Sequence, residues 1–272
     1  MKYTIPCLAS IMLLATGCSP EVPAPEAGMP AAAGSAEQPP VAAEPAPEEL
    51  SEFEVLGLRA GMSESQVRAE LAAERAEMTI GPELTESYAY SDGMYQQDTD
   101  PYLERITASS GDPDDGTSLV IHFSPPPGPP RVVSIVRTEM ARSNPPTRSS
   151  VVNSLIFRYG TPAFQFDSDQ AVIGWSQPGR PQCVWDNDEE VGAWTTAEFR
   201  QHQQSPVRRI SLPDDPSRCG VSVVATIPGA PEDDDAVETF SVFLVDPGAL
   251  ARAVDALERW LAGLGEEAGR AR

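Results

Sequence analysis

Lysine is almost missing from this chain. Lys2 is the only one in 272 residues, and every other basic side chain is an arginine. Against these 19 basic groups stand 41 acidic ones, for a net charge of −22. That balance excludes nucleic acid as a partner, because binding phosphates needs basic patches. It also disfavours electrostatic docking on anionic lipid; charge of this size chiefly confers solubility. Histidine is nearly as scarce, with His122 and His202 alone. No GxSxG elbow, HExxH helix, phosphate-binding loop or GxGxxG turn occurs. A hydrolytic triad whose members meet only in space stays open, but two poorly placed histidines give it little footing. The apolar stretch from Tyr3 to Thr16 contains Pro6 and falls short of the roughly 20 residues of a spanning helix.

What is there begins with the leader. Lys2 and the apolar stretch run into Leu14-Ala15-Thr16-Gly17-Cys18, with Ser19-Pro20 next. A basic start, an apolar core and small residues before a cleavage point make a secretory signal over residues 1–17. The segment resembles the lipobox of bacterial lipoproteins, with Ala15 where leucine is commoner. The resemblance implies that Cys18 becomes the mature N-terminus and carries a diacylglycerol thioether and an N-acyl chain such as palmitate. Several acyl chains on one residue anchor stably, where one binds only marginally. Ser19 does not match the Asp-type retention signal of the inner membrane, so the resemblance implies the outer membrane, facing the periplasm. The alternative is an ordinary secretory signal with a chance cysteine.

Of four cysteines, Cys7 leaves with the leader and Cys18 takes the lipid. Cys183 and Cys219 remain, and in an oxidising compartment they are expected to pair. Residues 18–50 follow the leader with eight prolines, six glutamates and no basic residue. Such a segment buries too little apolar surface to offset its ordering entropy, and it reads as an extended tether.

The folded part starts near Phe53. Val55-Leu56-Gly57-Leu58 reads as a short strand or extended lead-in. Gly61-Met62-Ser63 is a turn, with Ser63 and Gln66 forming a capping box and Val67 and Leu71 on one helical face. Thr117 to Phe123 alternates as a strand with Leu119, Ile121 and Phe123 on one face. Val132 to Val136 is its neighbour across a proline-rich hairpin loop. The second half opens alike: Thr147 caps a helix carrying Val151 and Leu155, at a constant offset of 84 residues from Ser63, Val67 and Leu71. Further strands are expected at Ala171 to Trp175, Val221 to Ile227 and Val237 to Val245. Asp246-Pro247 opens a last helix with the stripe Leu250, Val254, Leu257, Leu261 and Leu264. The fold class is therefore α+β, helices packed on antiparallel sheet, in two similar tandem units over 51–142 and 143–265, with a flexible tail at 266–272.

The stretch from Val55 to Val67, with Gly57, Gly61-Met62-Ser63 and the helix start, resembles the opening of SmpA/OmlA-like and beta-lactamase-inhibitor-protein-like domains. Tyr159-Gly160-Thr161-Pro162 is similar to their helix exit. The resemblance covers about 15 residues firmly and concerns turn glycines and a core methionine. It implies helices on one face of an antiparallel sheet and suggests binding proteins rather than enzymes. One family includes an outer-membrane lipoprotein of the barrel-assembly machine; the other blocks a hydrolase with the open face of its sheet.

Chemistry-bearing candidates are few. His122 alternates away from Ile121 and Phe123, so an exposed strand histidine is expected; His202 sits in a polar, Gln-rich stretch. Acidic clusters at Asp112-Asp114-Asp115, Asp186-Asp188-Glu189-Glu190 and Asp233-Asp234-Asp235 read as solvated loops. The first fails the EF-hand spacing, with Thr117 where glycine is required. Trp175, Trp185 and Trp194 cluster near Cys183, either as a local core against the disulfide or as an aromatic partner surface. No catalytic or metal-ligating residue and no cofactor is assigned. The expected function is a lipid-anchored, non-enzymatic module that binds another envelope protein. The alternatives are an inhibitor of a periplasmic or extracellular hydrolase and a hydrolase with an unrecognised site.

Overall fold

Thr147 shows how local chemistry starts an element here. Its side chain accepts from the Ser150 N–H, and the helix Arg148–Tyr159 (α2) follows and ends at Gly160 with φ 83°. Ser63 does the same for Glu64–Glu74 (α1): its Oγ accepts from the Gln66 N–H, and Gln66 Oε1 accepts from the Ser63 N–H at 2.8 Å. The computed structural model describes residues 51–74, 78–112, 114–167, 170–181, 183, 215–229 and 236–271, all within one compact unit, Pro47–Arg272. The leader, the tether, Cys18, His202, Trp185, Trp194 and the two later acidic clusters lie outside the described residues.

The strands, in chain order, are Thr79–Ile80 (β1), Leu84–Glu86 (β2), Ala89–Ser91 (β3), Gln96–Asp98 (β4), Tyr102–Asp112 (β5) and Asp115–Phe123 (β6). Then come Val132–Ala141 (β7), Phe164–Asp167 (β8), Gln170–Ser176 (β9), Ser222–Pro228 (β10) and Thr239–Val245 (β11). One antiparallel sheet runs β1-β5-β6-β7-β11-β10-β9-β8, with β2 also on β5; β3 and β4 form a separate hairpin. The protein is thus a mixed α+β fold around a large antiparallel sheet. The halves meet where β7 pairs β11, Ile135 opposite Leu244, so the sheet continues across the boundary expected near residue 142.

Two buried clusters sort the side chains by face. The first joins Val67 and Leu71 of α1 and Val151 and Leu155 of α2 to Ile106, Leu119, Ile121, Ile135, Ile173, Val223 and Leu244 of the strands. The second joins Leu250, Ala251 and Val254 of the last helix, Pro247–Arg270 (α3), to Val133, Val172, Val224 and Val245. Val223 and Val224 are successive strand residues, as are Val172 and Ile173, and successive residues point to opposite faces. So α1 and α2 lie on one side and α3 on the other. The resemblance implied helices on one face only; α3 departs from that, since Leu250, Ala251 and Val254 pack on Val133, Val224 and Val245.

Several expectations need correcting. Val55 to Leu58 is a tight turn, not a strand: Val55 and Leu58 exchange both backbone hydrogen bonds across Leu56 (φ 53°) and Gly57 (φ 80°). Positive φ at a leucine is uncommon, and burial of Val55, Leu56 and Leu58 holds it. The tail expected to be flexible is helical through Arg270, where Arg270 pairs with Glu266 at 2.9 Å. Gly265 and Gly269 there let α3 approach the Ser91 and Asp92 carbonyls; a Cβ on Gly265 would meet the Ser91 oxygen at 2.3 Å.

Candidate functional site: the sheet face beneath and beside α3

Direct cross-strand partners share a face, so the pairing registers map the α3 side row by row. The first row reads Arg105, His122, Ser134, Val245, Ser222 and Ser176 across β5, β6, β7, β11, β10 and β9. Five of these six carry a buried polar atom with no hydrogen-bond partner among the described residues: Arg105 Nε, His122 Nδ1 and the hydroxyls of Ser134, Ser222 and Ser176. Helix α3 crosses this row. Its first turns pack on Val133, Val224 and Val245, and Trp260 further along meets Tyr102 of β5 edge-on, ring centroids 5.9 Å apart. Its last turns carry the β3–β4 hairpin, through Leu257 and Leu261 against Tyr88.

The next rows leave the cover of α3 on the β5–β11 side. Thr107, Val120, Val136 and Phe243 form one, and Ser109, Ser118, Thr138 and Ser241 the other, with Thr138 and Ser241 hydroxyls 3.2 Å apart. Apart from the buried Phe243 and exposed Ser109, these side chains are half-buried. Neither row carries a charge, in a chain with 60 charged side chains. On the opposite face the corresponding positions hold Arg137 and Glu139, which form an ion pair that Thr117 extends by donating to Glu139 at 2.8 Å.

The hairpin tip adds exposed apolar groups. Met94 is 72 % and Tyr95 64 % exposed. Asp92 fixes their backbone by accepting from the Met94 N–H at 2.8 Å, the Tyr95 N–H at 2.7 Å and Gln97 Nε2 at 3.0 Å.

His122 corrects the sequence reading. It is 4 % exposed, not a surface histidine. Burial, followed by the neighbouring Arg105 charge, pushes its pKa down to about 4, so it is neutral at pH 7. The expectation failed because the strand was credited with one covered face, whereas α3 covers the other. Trp175 also leaves the candidate partner surface. It is buried on the α2 side, donates its indole N–H to the Gly160 carbonyl at 2.9 Å and packs on Tyr159 at 5.2 Å. Cys183 and Cys219 are bonded, with Cα atoms 5.6 Å apart. Asp112, Asp114 and Asp115 close the β5–β6 turn. Asp112 accepts from the Asp114 N–H, Asp114 pairs with Arg142, and Asp115 accepts from the Ser143 N–H and hydroxyl. The side-chain and backbone donors of Ser143 hold the Asp115 carboxyl below its usual range. The uncharged rows and the polar row were not found from sequence; period-two alternation was visible in β6, but which strands lie side by side was not.

No family model, curated protein or solved structure matches the chain.

Proposed function

We propose that this chain is an outer-membrane lipoprotein, held by lipid on Cys18 and facing the periplasm, that binds another envelope protein through its open sheet face. One observation carries the reading. The two rows beside α3 are uncharged and half-buried in a strongly acidic chain, and interface centres are depleted of charge. The pre-ordered Met94-Tyr95 tip supports it, since rigid aromatic anchors lose little entropy on binding. The lipobox resemblance supports the anchor, and the SmpA/OmlA-like opening supports binding rather than catalysis. We further read the two halves as a duplicated unit. The caps at Ser63 and Thr147 recur at the 84-residue offset, and each forms an isolated bridge to the chain just before the last strand of its half, at Arg131 and Ala236.

The test is in-cell photocrosslinking from Thr138 or Tyr95, with Phe157 as control. Phe157 is 94 % exposed on α2, on the other side of the sheet. The reading expects one discrete adduct from Thr138 and Tyr95, none from Phe157, and loss of palmitate labelling and of the adduct in Cys18→Ala. Equal adducts from all three positions, or none, would overturn it. A partner hydrolase that loses activity in the purified complex would turn the scaffold reading into the inhibitor reading.

A further inference from the structure

Arg105, His122 and Ser134 stand abreast on β5, β6 and β7, successive strands of one sheet, on one face. Neighbouring strands lie about 4.8 Å apart, so the three side chains span only about 10 Å. Each holds a buried polar atom without a partner among the described residues: a guanidinium Nε, an imidazole Nδ1 and a hydroxyl. His122 and Ser134 are 4 % and 0 % exposed, while Arg105 is half-buried. Unpaired buried polar groups are rare in native proteins, each costs free energy, and a bound ion is one of the things that accounts for them.

The charge pattern sharpens this. Acidic side chains outnumber basic ones two to one in this chain, and Arg59, Arg68, Arg137, Arg142, Arg158 and Arg270 all form ion pairs. Arg105 forms none among the described residues, although a surplus of carboxylates surrounds it in sequence. Glu104, beside it in the chain, sits where the β2–β5 register shifts; it feels the Arg105 charge without forming an ion pair with it. A cation without an ion pair among the described residues, next to an imidazole and a hydroxyl that can both donate, is a donor set for an oxyanion. Its approach is from the uncharged rows, where Thr107 and Val120 adjoin Arg105 and His122 without covering charge.

We propose that Arg105, His122 and Ser134 form a binding site for a small oxyanion, a carboxylate or a phosphate, at the border between α3 and the open face. Arg105 supplies the charge and reaches solvent; Ser134 and His122 donate from beneath the helix. The site does not depend on the protein-binding reading.

The experiment follows the His122 ring resonances of the whole mature protein at pH 7.5 during titration with sodium acetate and, separately, inorganic phosphate, at constant ionic strength. Saturable shifts are expected with one or both anions, and which one saturates tells carboxylate from phosphate. Arg105→Gln should weaken the binding about tenfold to a hundredfold, as expected for loss of charge-assisted hydrogen bonds. Arg105→Lys should retain part of it, and Thr138→Ala, two rows away on the same face, should leave it unchanged. Resonances that ignore both anions, or shift equally in Arg105→Gln, would overturn the site and assign the row to ordered water. Should Arg105→Gln fail to fold, the Arg105→Lys and Ser134→Ala titrations decide the matter by the same criterion.

Discussion

Acid should unfold this protein through His122 by an amount that can be worked out beforehand. The imidazole has a pKa of about 4 in the folded chain, against 6.5 when unperturbed. Between those values the unfolded state binds a proton that the folded state refuses, so stability falls as pH falls. A gap of about two and a half units, at 1.36 kcal/mol each, amounts to roughly 3 kcal/mol. That contribution is complete above about pH 7 and gone below about pH 4. Carboxylates titrate in the same window, so the measurement is a difference. Urea unfolding of the parent protein and of His122→Asn, which cannot titrate, is followed from pH 7.5 to pH 4. The parent should lose roughly 3 kcal/mol more than the variant over that range. Because Arg105 is the second cause of the depression, Arg105→Gln should move the His122 midpoint upward in an NMR titration. A parent-minus-variant difference that stays flat with pH, or a folded-state midpoint near 6.5, would refute the reasoning and place His122 in contact with water.

Three further outcomes follow from other parts of the molecule. Replacing Cys183 and Cys219 by serine opens a loop with sequence separation 36; it should cost about 3–4 kcal/mol in the chain-entropy model, read by denaturant unfolding, with the m-value rising as the denatured chain expands. Asp92→Ala removes the acceptor for Met94, Tyr95 and Gln97. It should cost about 2 kcal/mol and speed amide exchange at Met94 and Tyr95, while the amides of β6 and β7 keep their relative order of protection. Ser143→Ala should raise the Asp115 titration toward the ordinary carboxylate range. The Asp115 contribution is present above its unfolded pKa and is lost as pH falls through the folded one, so the variant should be less sensitive to acid; a carboxyl-carbon NMR titration checks the direction.

How much was legible varies by element, for identifiable reasons. The capping box at Ser63, the cap at Thr147 and the Asp246-Pro247 start are local chemistry within four residues, and the three helices of the described residues begin where that chemistry puts them. Strands β6, β9, β10 and β11 carry unbroken apolar alternation or apolar runs and lie where the pattern indicated. Strand β5 was missed. Eleven residues long, it contributes only Ile106 and Ala108 to the buried core, and its other side holds Arg105, Thr107 and Ser109. A strand near one edge of the sheet, with a polar open face, has no hydrophobic period to betray it.

The acidity, the helix starts and the pairing of Cys183 with Cys219 were set by composition and short spacing, because each depends on residues close in sequence or on counting alone. Which side of the sheet α3 takes, the burial of His122, the line of Arg105, His122 and Ser134, and the uncharged rows beside them arise only in the tertiary structure. Each depends on the order β5-β6-β7-β11-β10-β9, which brings together residues as far apart as Arg105 and Ser222. The apolar stripe of α3 says that the helix packs. Only the strand order beneath it decides that it packs beside a row of polar side chains.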